Sequence, residues 1–126
     1  SDWIRRVAAA EGYRTGDITV VFCSDATLLE VNRQFLSHDY FTDIITFDYT
    51  DQEKKIISGD LMISIDTVRD NAVRFGATFE NELFRVIIHG VLHLLGHGDK
   101  APGEEAKMHA LEDKYLAIRE TDETKS

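Results

Sequence analysis

The sequence predicts an α+β domain, a small mixed sheet of about three to four strands covered by helices, with one central buried helix. Three observations carry this reading. Runs rich in β-branched and aromatic residues at 17–23, 43–49 and 56–65 read as strands. Amphipathic stretches are interleaved with them, but without a regular βαβ rhythm. Residues 79–95 are apolar around much of the helical circumference, the pattern of a helix enclosed on most sides.

Each element follows in order. Trp3, Ile4, Val7 and Ala10 recur at helical spacing, and Gly12 is placed to end that first helix. DITVVFC (17–23) is the first strand, with Cys23 read as a core residue. Ser24 and Asp25 are N-caps for a helix carrying Leu28, Leu29, Val31, Phe35 and Leu36. DIITFDY (43–49) and IISGDLMISI (56–65) pair as an antiparallel hairpin across the polar TDQEKK loop, whose Lys54 and Lys55 read as a solvated tip. Gly59 marks a bend or a close backbone approach. Asp66 caps a short helix through Val68, Ala72, Val73 and Phe75, closed by Gly76. Pro102 opens a final helix with Met108, Leu111, Tyr115 and Ile118 as its inner stripe. With no linker, repeat or low-complexity block, residues 1–126 read as one domain with a polar tail frayed from about Glu120.

Composition narrows the function classes. Of 126 residues, 14 are Lys or Arg and 23 are Asp or Glu, giving a net charge of −9. A hydrophobic fraction of 43% supplies one core and argues against disorder. The lone Cys23 cannot form an intrachain disulfide, which argues against a stapled secreted scaffold. No apolar run approaches the roughly 20 residues that span a bilayer, and the opening residues read as an amphipathic helix, not a signal peptide. A cytoplasmic protein without a membrane partner is expected. The acidic balance opposes whole-surface adhesion to nucleic acid, which normally draws on a basic surface.

The chemistry-bearing stretch is FRVIIHGVLHLLGHGDK (84–100). His89 and His93 are four apart on the buried helix, so their imidazoles leave the same face one turn apart, as in histidine pairs that chelate one metal. Gly90 follows the first histidine where zinc peptidases carry their Glu general base, so that base is missing. A glycine inside a helix is tolerated where another backbone or a substrate must come close. Gly96 ends the helix, and beyond it His97, Asp99 and the more distant His109 are candidate third ligands. A continued helix would put His97 in line with His89 and His93, and three donors in a line converge poorly on a tetrahedral ion. A residue that folds back past the glycine break converges better, which favours Asp99 with His97 as the alternative. Three protein ligands leave a position for water, the arrangement of catalytic zinc.

HGVLHLLG (89–96) with the turn that follows resembles the signature H-G-x-L-H-L-x-G-Y-D-H of the YbeY-type endoribonucleases, bacterial ribosomal RNA maturation factors. FTDIITFDY (41–49) is similar to that family's P-T-D-V-L-S-F segment, with Phe41 in place of the proline. SGDLMIS (58–64) is similar to its G-D-I-x-I-S strand, and Met108 and Glu112 match M-x-x-x-E in its last helix. The likeness runs from about Asp17 to Leu116; the family's N-terminal strand has no counterpart before the first helix here. The register lays His89 and His93 on two metal-binding histidines, Asp99 on the third and His97 on the tyrosine. An aspartate there keeps affinity for zinc but acidifies a bound water less than a third neutral imidazole would, which leaves the metal's identity open. Leu36 stands where family members carry a basic residue after the asparagine matched by Asn32, so either other groups such as His38 or Arg33 meet phosphate or substrate handling differs.

The resemblance implies a metal-dependent endoribonuclease of single-stranded RNA in rRNA maturation and ribosome assembly. Zinc is the implied cofactor; rRNA and the ribosome or a ribosomal protein are the implied partners. Two other classes compete: a non-catalytic RNA-binding assembly factor with a structural metal, and a metallohydrolase of another substrate such as a peptide. Arg85, one turn before His89, is placed to hold a phosphate or to pair with an acid such as Glu82. Thr42 and Asp43 form a loop beside the metal or simply cap a turn. Asp60 orients a metal-bound histidine or is a solvated strand acid. No residue is assigned as general base. Any RNA contact is expected to be weak, salt-sensitive and concentrated near the metal.

Overall fold

A computed structural model describes residues 2–36 and 42–125, with side chains to 119. The elements are α1 (Asp2–Ala10), β1 (Arg14–Cys23), α2 (Asp25–Leu36), β2 (Ile44–Asp48), β3 (Ile56–Ser64), α3 (Ile65–Phe75), α4 (Phe79–Leu94) and α5 (Glu104–Lys125). The fold is α+β, with five helices around a three-stranded mixed sheet, the lower end of the expected strand number. β3 is central: β2 pairs with it antiparallel, Thr46 opposite Leu61, and β1 pairs with it parallel, Val20 beside Leu61. β1 starts three residues before the apolar run 17–23, because its ladder with β3 reaches Arg14 opposite Ile56, across an irregularity between Thr15 and Ile18.

β3 alternates, as a half-covered strand must. Ile57, Gly59, Leu61 and Ile63 are buried, whereas Asp60 and Met62 are only half-buried on the other face. α4 lies across the buried face and contacts β2, β3, α3 and α5. Its Val86, Ile88, Val91, Leu92 and Leu94 join Ile57, Leu61, Ile63, Val7, Val68, Met108 and Tyr115 in the core. Two glycines allow the close packing. A Cβ on Gly59 would lie 2.4 Å from the Phe47 carbonyl oxygen, and one on Gly90 would lie 2.8 Å from Ile44 Cδ1 and 2.9 Å from Leu61 Cδ2. Gly59 is thus the close backbone approach expected of it. Gly90 makes room for side chains of the sheet, not for a substrate or another backbone.

Four local expectations change. α3 is capped by Ser64, whose Oγ accepts from the Thr67 N–H at 3.1 Å. Asp66 lies inside the first turn and instead accepts from the Asp25 N–H. α5 begins at Glu104 because Pro102 and Gly103, the latter at φ 84°, form the turn before it. Cys23 is half-buried, its thiol 3.6 Å from the Ile63 carbonyl and its pKa raised by burial. Lys55 does not simply float at the hairpin tip, since its ammonium sits 5.0 Å over the Tyr13 ring.

Candidate metal centre

The centre is assembled by one helix and the break after it. His89 and His93 leave α4 on one face, with ring centroids 4.6 Å apart and planes at 82°. Past the helix, Gly96 adopts φ 96°, a left-handed turn that only glycine takes easily. The chain there doubles back, with the His97 N–H donating to the Leu92 carbonyl at 3.0 Å. This turn sends the two candidate third ligands apart. Asp99 Oδ2 comes to 3.3 Å from His89 Nε2 and 3.5 Å from His93 Nε2, while the two Nε2 atoms are 3.0 Å apart. His97 points toward α1, its Nε2 2.7 Å from Glu11 Oε1. Among the described residues, His89, His93 and Asp99 are the only group of three or more such side chains whose donor atoms converge in this way.

The donor triangle suits a small divalent ion. Metal–ligand bonds of about 2.0–2.1 Å at tetrahedral angles put donor atoms about 3.3–3.4 Å apart, close to the three separations observed. Behind it, Glu112 Oε2 lies 2.7 Å from His89 Nδ1. With the proton on Nδ1, Nε2 presents its lone pair to the triangle. Glu112 is itself 3% exposed, and its other oxygen accepts from Arg85 Nη1 at 2.9 Å. Arg85 Nη2 donates to Asp113 at 2.7 Å. Arg85 therefore braces α5 against α4 and is not paired with Glu82.

The electrostatics follow from these contacts. Burial alone would lower the His89 pKa, but the Glu112 hydrogen bond and charge, backed by Asp43 and Asp99, raise it. His93 is lowered by burial and by the nearby His89, against the pull of Asp99 and a hydrogen bond with the His97 backbone. Burial pushes Glu112 upward, yet hydrogen bonds from His89 and Arg85 hold it below the usual carboxylate range. Asp43 and Glu82 are both raised, chiefly by burial.

His89 and Asp99 open onto a cleft of about 830 Å³ whose wall also includes Asp43, Glu82, Arg85 and Lys100. A smaller cavity of about 310 Å³ adjoins it, sharing Glu82, Arg85 and Asp113. Asp43 thus reaches the cleft; Thr42, whose hydroxyl donates to the Ile44 carbonyl, is not on its wall. Asp60 does not serve the histidines, because strand alternation puts it on the face of β3 away from α4. His38 and Phe41 lie outside the described residues. His109 lines the cleft, 3.5 Å from Glu112 Oε1, without joining the donor triangle.

Two contacts escaped the sequence reading. Glu112 was met there only as part of a motif match on α5, and nothing in that match gave its place beneath His89. The other is the contact of Glu11 with both His97 and the Tyr115 hydroxyl, which joins α1, the loop after α4 and α5. Nothing local announces it.

Fold and site together define an α+β protein carrying a two-histidine, one-carboxylate centre at the end of a buried helix. The profile of the family Endoribonuclease YbeY matches residues 1–119. The chain is 57% identical over 119 residues to Endoribonuclease YbeY of Bacteroides thetaiotaomicron, covering 94% of this chain and 85% of that one. It is 59% identical over 116 residues to the protein of that name from Phocaeicola vulgatus, covering 92% and 83%. Among solved structures, the solution structure of TM1509 from Thermotoga maritima superposes with a TM-score of 0.61 at 26% identity, covering 99% of this chain and 84% of that one. The chain belongs to the endoribonuclease YbeY family.

Proposed function

We propose that this protein is a metal-dependent endoribonuclease that cuts single-stranded RNA during rRNA maturation in the cytoplasm, with zinc held by His89, His93 and Asp99. The ribosome or a ribosomal protein is the partner this reading supplies. The observation that carries it is the donor triangle beside an open cleft in a chain whose relatives are named as endoribonucleases. When bound, the ion supplies Lewis-acid polarisation of a phosphate oxygen or of water. The chain supplies the rest. Glu112 keeps the His89 proton on Nδ1, Arg85 keeps Glu112 ionised and in place, and the His97 backbone orients His93. The α4 face packed on Leu61 excludes water from behind the histidines.

The test is metal content and cleavage of a single-stranded RNA by the wild type, Asp99→Ala and His97→Ala. Asp99→Ala is expected to lose bound metal and cleavage together, while His97→Ala keeps its metal. The opposite pattern overturns the ligand assignment. Metal removal that unfolds the protein, together with RNA binding that persists without cleavage, would favour a structural metal instead.

A further inference from the structure

Glu82 is the most anomalous side chain outside the metal centre. It lies on α4, two turns before His89, and is only 6% exposed. No hydrogen bond from any described residue reaches its carboxyl, although buried polar groups are normally paired. Arg85, three residues on, gives it a favourable charge nearby but spends its own donors on Glu112 and Asp113. Glu82 lines both the large cleft and its smaller neighbour.

The part of the lining that α3 supplies has a complementary character. Asn71 and Phe75 lie four apart on α3, so they share one face, and both line the same cleft as Glu82. Phe75 leaves 64% of its surface exposed at the cleft wall. It is not part of an apolar patch with Val73, which is two residues away and therefore on another side of the helix. Phe79 is covered by the Arg69 guanidinium at 5.7 Å. The Asn71 amide, half-buried, has no partner among the described residues.

We propose that Phe75, Asn71 and Glu82 form a subsite for one unpaired nucleobase of the RNA, stacked on Phe75 and read at its edge by Asn71 and Glu82, with guanine preferred. This rests on the nuclease reading and deepens it. An exposed aromatic ring is the usual platform for a splayed base in single-stranded RNA. A buried carboxylate without donors seeks adjacent N–H groups. Guanine presents two side by side, N1–H and N2–H, while adenine and the pyrimidines each lack that pair. Stacking also suits this wall because it needs no positive charge, and the cleft carries Asp43, Glu82, Asp99 and Glu112 against few cations. At about 830 Å³ the cleft sits in the upper range of small-ligand sites, with room for a base and the adjoining phosphate.

The experiment has a binding arm and a cleavage arm, both on the metal-loaded full chain. In the first, the Phe75→Trp variant is titrated with single-stranded oligonucleotides bearing one guanine, or one adenine at the same place, in a uridine background. Quenching of the new indole by the guanine oligonucleotide at lower concentration supports the subsite, and it needs no cleavage. In the second, cleavage-site preference is compared for the wild type, Phe75→Ala, Glu82→Gln and Val73→Ala. Phe75→Ala is expected to lower kcat/KM about tenfold or more. Glu82→Gln, nearly isosteric, is expected to erase about tenfold of guanine preference while circular dichroism and metal content stay as in the wild type. Val73→Ala, 82% exposed and off the cleft wall, serves as the control without effect. Cleavage by the wild type with base preference and kcat/KM indifferent to Glu82 and Phe75 overturns the subsite and leaves the nuclease reading standing. No cleavage of any RNA by the wild type overturns the nuclease reading. Quenching by neither oligonucleotide overturns the subsite directly.

Discussion

At the scale of single residues, the two glycines at the contact between the metal helix and the sheet differ in what an added Cβ would meet. The obstacle at Gly59 is backbone, the Phe47 carbonyl, which cannot yield without opening the β2–β3 ladder. At Gly90 the obstacles are the terminal methyls of Ile44 and Leu61, which rotate. Gly59→Ala is expected to cost about 3 kcal/mol or more, at the top of the overpacking range. Gly90→Ala regains about 1 kcal/mol of helix propensity, so its net cost should stay below about 2 kcal/mol; denaturant titration of both variants checks the order. Glu112 offers a second test at this scale. Glu112→Gln keeps the shape but removes the charge that steadies His89 and Arg85, so metal affinity should fall about 10- to 100-fold, measured by competition with a chelator. A change in thermal stability without a change in metal affinity would mean that Glu112 serves only as a brace between α4 and α5.

Among the elements, the loop after α4 is held from a distance. Glu11, in the turn just past α1, accepts from the Tyr115 hydroxyl of α5 and meets His97 just past the left-handed Gly96. Burial tends to raise the Glu11 pKa, but its hydrogen bonds with Tyr115 and His97 hold it below the ordinary 4.5. A depressed carboxyl contributes stability above its unfolded value and loses it as pH falls below about 4.5. Tyr115 is displaced the other way, raised by burial and by Glu11 above its ordinary 10.0, so its contribution is whole below that value and fades as pH climbs past it. Tyr115→Phe should therefore cost about 1–3 kcal/mol at neutral pH and remove part of the alkaline loss of stability. A pH series of unfolding midpoints for the two proteins reads both signs.

The elements also show where sequence reasoning reached and where it stopped. The central helix, the β2–β3 hairpin and the buried face of α5 were legible because their signals are local: periodicity, a polar turn and a glycine in the middle of a strand. The convergence of Asp99 with His89 and His93 was legible for the same reason, since a glycine break three residues past the second histidine sets the reach of the chain. The parallel pairing of β1 with β3 was not, because a parallel partner is chosen by the crossover and leaves no turn signature. The α3 cap was misplaced because Ser64 and Asp66 are both competent caps, and only the end of β3 decides which one has extended backbone. Glu112 and Glu82 are acids whose burial depends on helices packing together, and no window around either sequence position contains that information.

For the whole molecule, a net charge of −9 coexists with a cleft whose wall is itself rich in carboxylates. Of the cleft cations, Arg85 is already committed to Glu112 and Asp113, which leaves Lys100 as the principal group for phosphate. RNA affinity of the isolated chain should be weak, and its logarithm should fall against the logarithm of salt with a slope no steeper than about −2. A slope several times steeper, from fluorescence titrations across a salt series, would require a basic track outside the cleft. Among the described residues, no helix is long and apolar enough to cross a membrane.

The seat of Gly90 has a further consequence, in the currency of mutation. Glycine and glutamate codons are neighbours, separated by a single transition such as GGA to GAA. From GGA or GGG, two of the four glycine codons, one nucleotide change would write the histidine–glutamate pair of the zinc peptidases into this helix. Yet position 90 is buried against Ile44 and Leu61, where a carboxylate would find no donor and no water. The shortest genetic route from this motif to a peptidase runs through a protein that cannot close its core.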